Sequence, residues 1–322
     1  MRIIERYESP VRLAIANSAG GGRELRALAL SDLGELPVEV VGLGGDELAR
    51  LELPELPAGS GHATPLEGSI HPNRAVILTS TAERTYSFAT NRIELEGATN
   101  FRDFGGYGCQ DGGSMPWRRF FRSENLSRIT AADIAEMGAL GIRKVFDLRR
   151  PDEVALSPTP GLEAAGIEVV SVPISGAIAG YDDGVSGIFE GRIHSITAWD
   201  MIGMYESILE NHLDDLLSVA SEIAASPVPT LVHCTAGKDR TGLAVALVQL
   251  AHGASRQDIF YDYLLSNRLR TPVRMATLEP EFEKRGLDIT RFKAYFSAPF
   301  AALESVYEDL EAAAKSIRTA AA

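Results

Sequence analysis

Over the first ninety positions apolar and polar residues alternate in short runs. Residues 11–16 read Val-Arg-Leu-Ala-Ile-Ala, and Val-Glu-Val-Val from Val38 and Ala-Val-Ile-Leu-Thr from Ala75 are further β-rich runs. Gly and Pro break them, at Gly-Gly-Gly from Gly20, Leu-Pro-Glu-Leu-Pro from Leu53 and Gly-Ser-Gly from Gly59. Period-two runs between turn residues predict a small all-β, sandwich-like accessory domain over residues 1–92. Binding, dimerisation, substrate guidance and a packing platform are all open roles for it.

From residue 93 the pattern changes to alternating helix and strand. Thr130-Ala-Ala-Asp133 has the form of a capping box, with Ile134, Met137 and Leu140 on one face and Gly141 as the stop. Strands are predicted at 143–148, 167–174 and 229–232, and helical segments at 197–225. A second capping box, Ser255 to Asp258, opens a helix to about residue 270, and further helices are predicted over 274–284 and 299–317. Residues 319–322 are expected to fray. This order predicts an α/β catalytic domain over 93–322, with a central, mostly parallel sheet flanked by helices and a helical C-terminal tail.

The chemistry concentrates at His233-Cys-Thr-Ala-Gly-Lys-Asp-Arg-Thr-Gly242, between the 229–232 strand and an apolar helix. Successive backbone N–H groups in a tight loop before a helix make a concavity for a dianion, and the helix N-terminus adds positive potential. Thr235, Ala236 and Gly237 are small enough for the backbone to curl around phosphate, and Gly237 can take a left-handed conformation. Arg240 offers a planar fork for two phosphate oxygens. Cys234 is the candidate nucleophile; attack requires the thiolate, which helix N-termini and nearby cations favour. Lys238 adds positive potential, and Thr241 is a candidate donor to the sulfur. His233 is expected to buttress the loop. These features predict hydrolysis of phosphate monoesters through a cysteinyl-phosphate. A structural cysteine at a strand end is the bland alternative, and the ordered run of surrounding residues argues against it.

The loop resembles that of the cysteine-dependent protein tyrosine phosphatase superfamily, in the bacterial branch with His-Cys-x-x-Gly-Lys-Asp-Arg-Thr-Gly. Asn100-Phe-Arg-Asp-Phe-Gly-Gly-Tyr107 is similar to a second motif of that branch, with Phe104 in place of Leu. Phe121-Arg122-Ser123, Asp147-Leu148-Arg149 and Tyr263-Leu-Leu-Ser-Asn267 resemble three more. The resemblance runs from about residue 95 to 267. It implies a phosphotyrosine-phosphatase-like fold, a metal-independent enzyme without cofactor, and activity on phosphotyrosine that in such proteins extends to phosphoserine, phosphothreonine or phosphoinositides. Lys238 is then open to two roles, reaching extra phosphates on an inositol ring or supplying potential to the thiolate.

A leaving alkoxide or phenoxide needs a proton, usually from a carboxylic acid. The sequence contains no Trp-Pro-Asp. Asp239, inside the cradle, and Asp147, at the end of a strand whose carboxyl end should face the site, are the candidates. An ion pair to Arg149 or Arg240 is the competing reading of Asp147. Asp182, Asp183 and Asp200 lie in a region read as a lid, residues 176–191 with the neighbouring helix. Arg102 and Asp103 are read either as a loop at the mouth of the cradle or as an ion pair holding the domain start. Met201, Met204 and Tyr205 are either an apolar rim or a helix core face.

The chain has 322 residues and a net charge of −13, from 31 Lys and Arg against 44 Asp and Glu. That balance argues against nonspecific nucleic-acid binding and against broad attachment to an anionic leaflet. No run of about 18 apolar residues predicts a membrane span, and the polar N-terminus does not resemble a secretory signal, so the expected location is cytoplasmic. Two cysteines make no disulfide framework; Cys109 is read as a loop residue, or alternatively as a redox partner of Cys234. His62, His71, His194, His212 and His252 are scattered, and no metal site is expected. The expected partner is a phosphorylated protein or phosphoinositide substrate. A phospho-binding module that has lost catalysis is the reading from a different class.

Overall fold

The computed structural model describes residues 9, 11–18, 22–43, 45–68, 70–80, 85–159, 161–176, 178 and 184–317. Asp182, Asp183, part of the expected lid and the C-terminal residues 319–322 lie outside the described residues. The chain divides into two compact units. The first takes residues 1–93 together with 102–108 and 114–120, and the second takes the remainder.

In the first unit the alternating runs form seven strands: β1 (Val11–Asn17), β2 (Arg23–Ala29), β3 (Leu36–Gly42), β4 (Glu47–Leu53), β5 (Gly61–Leu66), β6 (Ala75–Ser80) and β7 (Thr85–Phe88). They pair as two antiparallel sheets, in the orders β1-β2-β5 and β4-β3-β6-β7. Every second residue of β1 (Val11, Leu13, Ile15) and of β3 (Leu36, Val38, Val40) is buried. These join Leu25, Ile77 and Phe88 in one core that draws on both sheets. The result is a sandwich.

The chain returns to this unit after residue 93. Asp103 in the two-residue strand β8 (Arg102–Asp103) donates its N–H to Asn91 O at 2.8 Å, and Phe104 N–H reaches Phe120 O at 2.8 Å. The buried Asp103 carboxylate accepts from the N–H groups of Gly105 and Arg118 and pairs with the Arg118 guanidinium at 3.0 Å. Burial pushes its pKa up, and Arg118 opposes that rise.

In the second unit the strands β11 (Glu168–Ser171), β10 (Lys144–Asp147), β12 (Thr230–His233) and β9 (Phe120–Ser123) lie side by side in that order. β10 runs parallel to both β11 and β12, with Asp147 opposite His233. The helices are α1 (Ala131–Ala139), α2 (Pro151–Leu156), α3 (Gly184–Phe189), α4 (Ala198–Ala225), α5 (Asp239–Ala251), α6 (Arg256–Leu269), α7 (Thr271–Lys284), α8 (Lys293–Phe296), α9 (Phe300–Ser305) and α10 (Tyr307–Ala314). Residues 241–249 of α5 are all buried, as expected of a helix enclosed on every side. α4 packs against α5 and α9 and breaks its helical course at His212, where φ is −137°.

The capping box at α1 is present. Thr130 Oγ1 accepts from Asp133 N–H, and the Asp133 carboxylate accepts from Thr130 N–H. The same carboxylate also takes the N–H groups of Glu96 and Gly97 at 2.7 and 2.9 Å, so one residue caps the helix and fixes the chain entering the unit. Gly141 stops the turn with φ +79°. Thr130→Ala should therefore cost about 1 kcal/mol, the ordinary price of a lost cap. Asp133→Ala should cost more, about 2–3 kcal/mol, because it leaves three backbone donors without their acceptor. Denaturant unfolding of the two variants measures the difference.

Candidate active site

The 233–242 loop joins the end of β12 to the start of α5, at the carboxyl end of the parallel strands where α/β folds place ligands. Gly237 takes φ +64°, and a Cβ there would come within 2.1 Å of Ser123 O. Only glycine fits that turn. The loop's carbonyls are bound from outside. Thr235 O accepts from Asn125 N–H and Nδ2, Ala236 O from Asn100 Nδ2 at 3.3 Å, and Gly237 O from Asn100 Nδ2 at 3.0 Å and Arg122 Nη2 at 2.8 Å. Arg122 and Asp262 are both fully buried and pair at 2.5 Å. With these carbonyls turned outward, Gly237 N–H points inward and lies 3.3 Å from Cys234 Sγ.

Cys234 is buried and lines a cavity of about 270 Å³. Thr235, Ala236, Lys238, Asp239 and Arg240 line it too. Thr241 is fully buried, and its hydroxyl has no hydrogen-bond partner among the described residues. His233 lies behind the loop, with Nδ1 3.3 Å from Cys234 O. Burial lowers its pKa to about 4, so the ring is neutral at pH 7.

Arg240 is clasped by Glu153, from the first turn of α2. Nη1 reaches Oε2 at 2.6 Å and Nη2 reaches Oε1 at 2.8 Å. Thr235 Oγ1 donates to the same carboxylate, as does Arg150 N–H. Burial alone would push the Glu153 carboxyl up, but Arg240 and Thr235 outweigh it and bring the pKa down to about 2. The clasp presents the guanidinium as a fixed plane.

The two candidate acids occupy different surroundings. Asp147 is buried and committed to Arg149, whose Nε and Nη2 bond both carboxylate oxygens at 2.7–3.1 Å. Burial raises its pKa, the Arg149 bonds overcome that, and the carboxyl is held below the usual range. Asp239 lines the cavity, where Tyr205 OH donates to it at 3.0 Å and Lys238 Nζ lies 2.9 Å away. Tyr205 OH also meets Tyr263 OH at 2.8 Å. Lys238 Nζ additionally donates to Ser297 O at 2.8 Å, so its donors point to protein groups.

Of the sequence candidates, then, Cys234, Thr235, Ala236, Lys238, Asp239 and Arg240 gather around one cavity, with Gly237 turning the loop behind them and Thr241 buried at the start of α5. Arg102 and Asp103 belong to the first unit, where Asp103 is committed to Arg118. Met204 lines the cavity and Tyr205 reaches Asp239, while Met201 is in the core. Asp200 caps α4, accepting from Thr197 N–H at 2.7 Å. Cys109 is half-buried and forms a backbone bridge with Ala254, while Cys234 is buried. Sequence reasoning gave no role to Asn100, Arg122 or Glu153, and read Tyr205 only as an apolar rim or helix core residue, not as a partner of Asp239. Asn100 and Arg122 sit within motifs already singled out, so their signal was present. Glu153, in an ordinary Pro-Asp-Glu helix start, carried none.

A buried thiol at the base of an amide-lined turn, with an arginine six residues on held as a flat donor plane, is the construction of a phosphate cradle carrying its own nucleophile. A model of the tyrosine phosphatase family matches residues 93–319, and the chain belongs to that family as a cysteine phosphatase. It is 36% identical over 194 residues to the triple specificity protein phosphatase PtpB of Mycobacterium tuberculosis, covering 54% of this chain and 68% of that protein. It is 28% identical over 155 residues to a tyrosine-protein phosphatase of Nostoc commune, covering 48% of this chain and 50% of that protein. Among solved structures, TpbA of P. aeruginosa matches with 15% identity, 63% of this chain, 89% of that chain and a TM-score of 0.29. Among the described residues no helix is long and apolar enough to cross a membrane.

Two outcomes test the scaffold. Asp262→Ala strands the Arg122 charge and should cost about 3–5 kcal/mol in unfolding experiments. Acid should destabilise the protein in two stages. The unfolded chain protonates His233 near pH 6.5 while the folded state resists to about 4, so stability falls as pH drops through that window. Glu153, about 2 when folded against 4.5 in its ordinary state, adds a second loss as pH falls from about 4.5 toward 2. A Glu153→Gln variant should lack the second stage when stability is measured against pH.

Proposed function

We propose that the protein hydrolyses phosphotyrosine in proteins, and phosphoserine or phosphothreonine where they reach the cradle, through a phosphocysteine. The observation that carries this reading is the position of Cys234 Sγ, 3.3 Å from an inward-facing loop amide, in a cavity that Arg240 also lines. The Cys234 thiolate attacks phosphorus, forming the S–P bond as the P–O bond to the leaving oxygen breaks. Loop amides and the clasped Arg240 hold the equatorial oxygens and stabilise the charge spread over them. In this reading the buried, unpartnered Thr241 hydroxyl turns to donate to the sulfur and so eases its departure when water cleaves the S–P bond.

Asp239 is the proton donor in this reading. Three carboxylates line the cavity, Asp152, Glu153 and Asp239. Arg150 holds Asp152 and Arg240 holds Glu153, and both carboxyls titrate below their ordinary range. Asp239 differs in its partners, which are the Lys238 ammonium and the Tyr205 hydroxyl rather than an arginine fork, and in this reading it gives its proton to the leaving oxygen. It then takes one from the attacking water, which returns the enzyme to its starting state. Asp147, held by Arg149, supports the loop from behind through His233, whose Nε2 lies 3.7 Å from its carboxylate, and acts as a positioning residue.

The apolar stretch of the cavity, with Leu156, Met204, Ile208 and Phe296, favours an aromatic phosphoester over a polyhydroxylated ring. Lys238, committed to Asp239 and Ser297, supports the thiolate's surroundings more than an inositol phosphate. Location in the cytoplasm fits this substrate. Cys234→Ser should abolish turnover of phosphotyrosine peptides, with EDTA having no effect on the unsubstituted enzyme. Asp239→Asn should slow peptides, which have a poor leaving group, by about 10²-fold or more, and slow an activated aryl phosphate much less. Equal slowing of both substrates would remove Asp239 from the acid role, and leaving-group sensitivity in Asp147→Asn would move the role there.

A further inference from the structure

Five cations line the cavity around Cys234, and four have a carboxylate partner. Arg150 pairs with Asp152, Lys238 with Asp239, Arg240 with Glu153 and Arg270 with Glu124. The fifth, Arg274, has none among the described residues. It sits one turn after Arg270, at the start of α7, and is half-buried. Arg270 and Arg128 are near enough to repel it, while Tyr295 and the Glu124 carboxylate, itself held by Arg270, act more weakly the other way. Burial and Arg270 together lower its pKa. A half-buried guanidinium facing a cavity among like charges is unfavourable in the empty protein, and an incoming oxyanion relieves it. The Tyr295 ring on the same wall carries a hydroxyl that burial keeps protonated and thus able to donate.

We propose that Arg274 forms a second anion subsite, which engages an acidic side chain close to the phosphotyrosine in the peptide substrate. This rests on the phosphotyrosine reading of the cradle and narrows it to a substrate class. Glu153 satisfies Arg240 until phosphate arrives, whereas nothing in the cavity satisfies Arg274. Its direct ion-pair partner is left for the substrate to bring. The apolar wall accepts the tyrosine ring, and the carboxylate of a neighbouring residue then lies over α7. A peptide fits this combination of apolar and basic walls. The net charge of −13 disfavours delivery from an anionic lipid surface.

The test uses the full chain and phosphotyrosine peptides whose flanking residues are all Gln, with Glu placed singly at each position within three residues of the phosphotyrosine. At one or more positions Glu should raise kcat/KM about tenfold over the all-Gln peptide, the size of a charge-assisted hydrogen bond. In Arg274→Gln that ratio should fall to near one, and Arg274→Lys should restore part of it. A gain that persists in Arg274→Gln, or no gain at any position, overturns the subsite. So does an Arg274-dependent gain seen only with a soluble inositol bisphosphate headgroup. Failure of the cradle reading is separate: it would appear as no Cys234-dependent turnover of the all-Gln peptide.

Discussion

Three consecutive carbonyls of the loop after Cys234 are held from outside by amide and guanidinium donors, and this is the constraint on which the site depends. Asn125, Asn100 and Arg122 fix the peptide planes of Thr235, Ala236 and Gly237 with the oxygens turned away from the cavity. A loop so pinned leaves its N–H groups to the inside, where a dianion can collect them. The left-handed turn at Gly237 makes the arrangement possible, since a side chain there would strike the backbone of Ser123. Arg122 can do this work in a fully buried position because Asp262 is buried with it. Removing either partner would leave an uncompensated charge in the core.

The second feature is how the carboxylates are allotted. Nearly every acid near the cavity is spoken for by a cation: Asp147 by Arg149, Glu153 by Arg240, Asp152 by Arg150 and Glu124 by Arg270. The arginines hold Asp147, Asp152 and Glu153 below the ordinary carboxyl range, and an ionised acid cannot deliver a proton. Asp239 also has a cation, Lys238 at 2.9 Å, but no arginine fork, and its other partner is the hydroxyl of Tyr205, itself kept neutral by burial and by the adjacent carboxylate. Asp239 faces the cavity with its orientation set by Tyr205 and Lys238.

Much of this was legible in the chain, for physical reasons. Period-two alternation in β1 and β3 and the Thr130 to Asp133 box each encode a local structure directly, so the sandwich and α1 could be placed from sequence. The cradle was legible because a phosphate site needs small residues, a nucleophile and an arginine in a fixed local order. Glu153 was not, because its meeting with Arg240 depends on the packing of α2, 87 residues away in sequence. The bonds from Tyr205 and Arg122 likewise exist only once α4 and α6 have docked. The return of residues 102–108 and 114–120 to the first unit was also hidden, since a two-residue strand leaves no periodicity to read.

The claim beneath all of this is that sulfur at position 234 takes the phosphoryl group. Rapid quenching in acid during turnover of a phosphotyrosine peptide, followed by peptide mass spectrometry, tests it most directly. Asp239→Asn helps here by slowing the water step. The account predicts a phosphate adduct on the peptide that contains Cys234, appearing at the rate of the product burst and absent from Cys234→Ser. Phosphate found on another side chain, or full turnover with no enzyme-bound phosphate at any quench time, would contradict it.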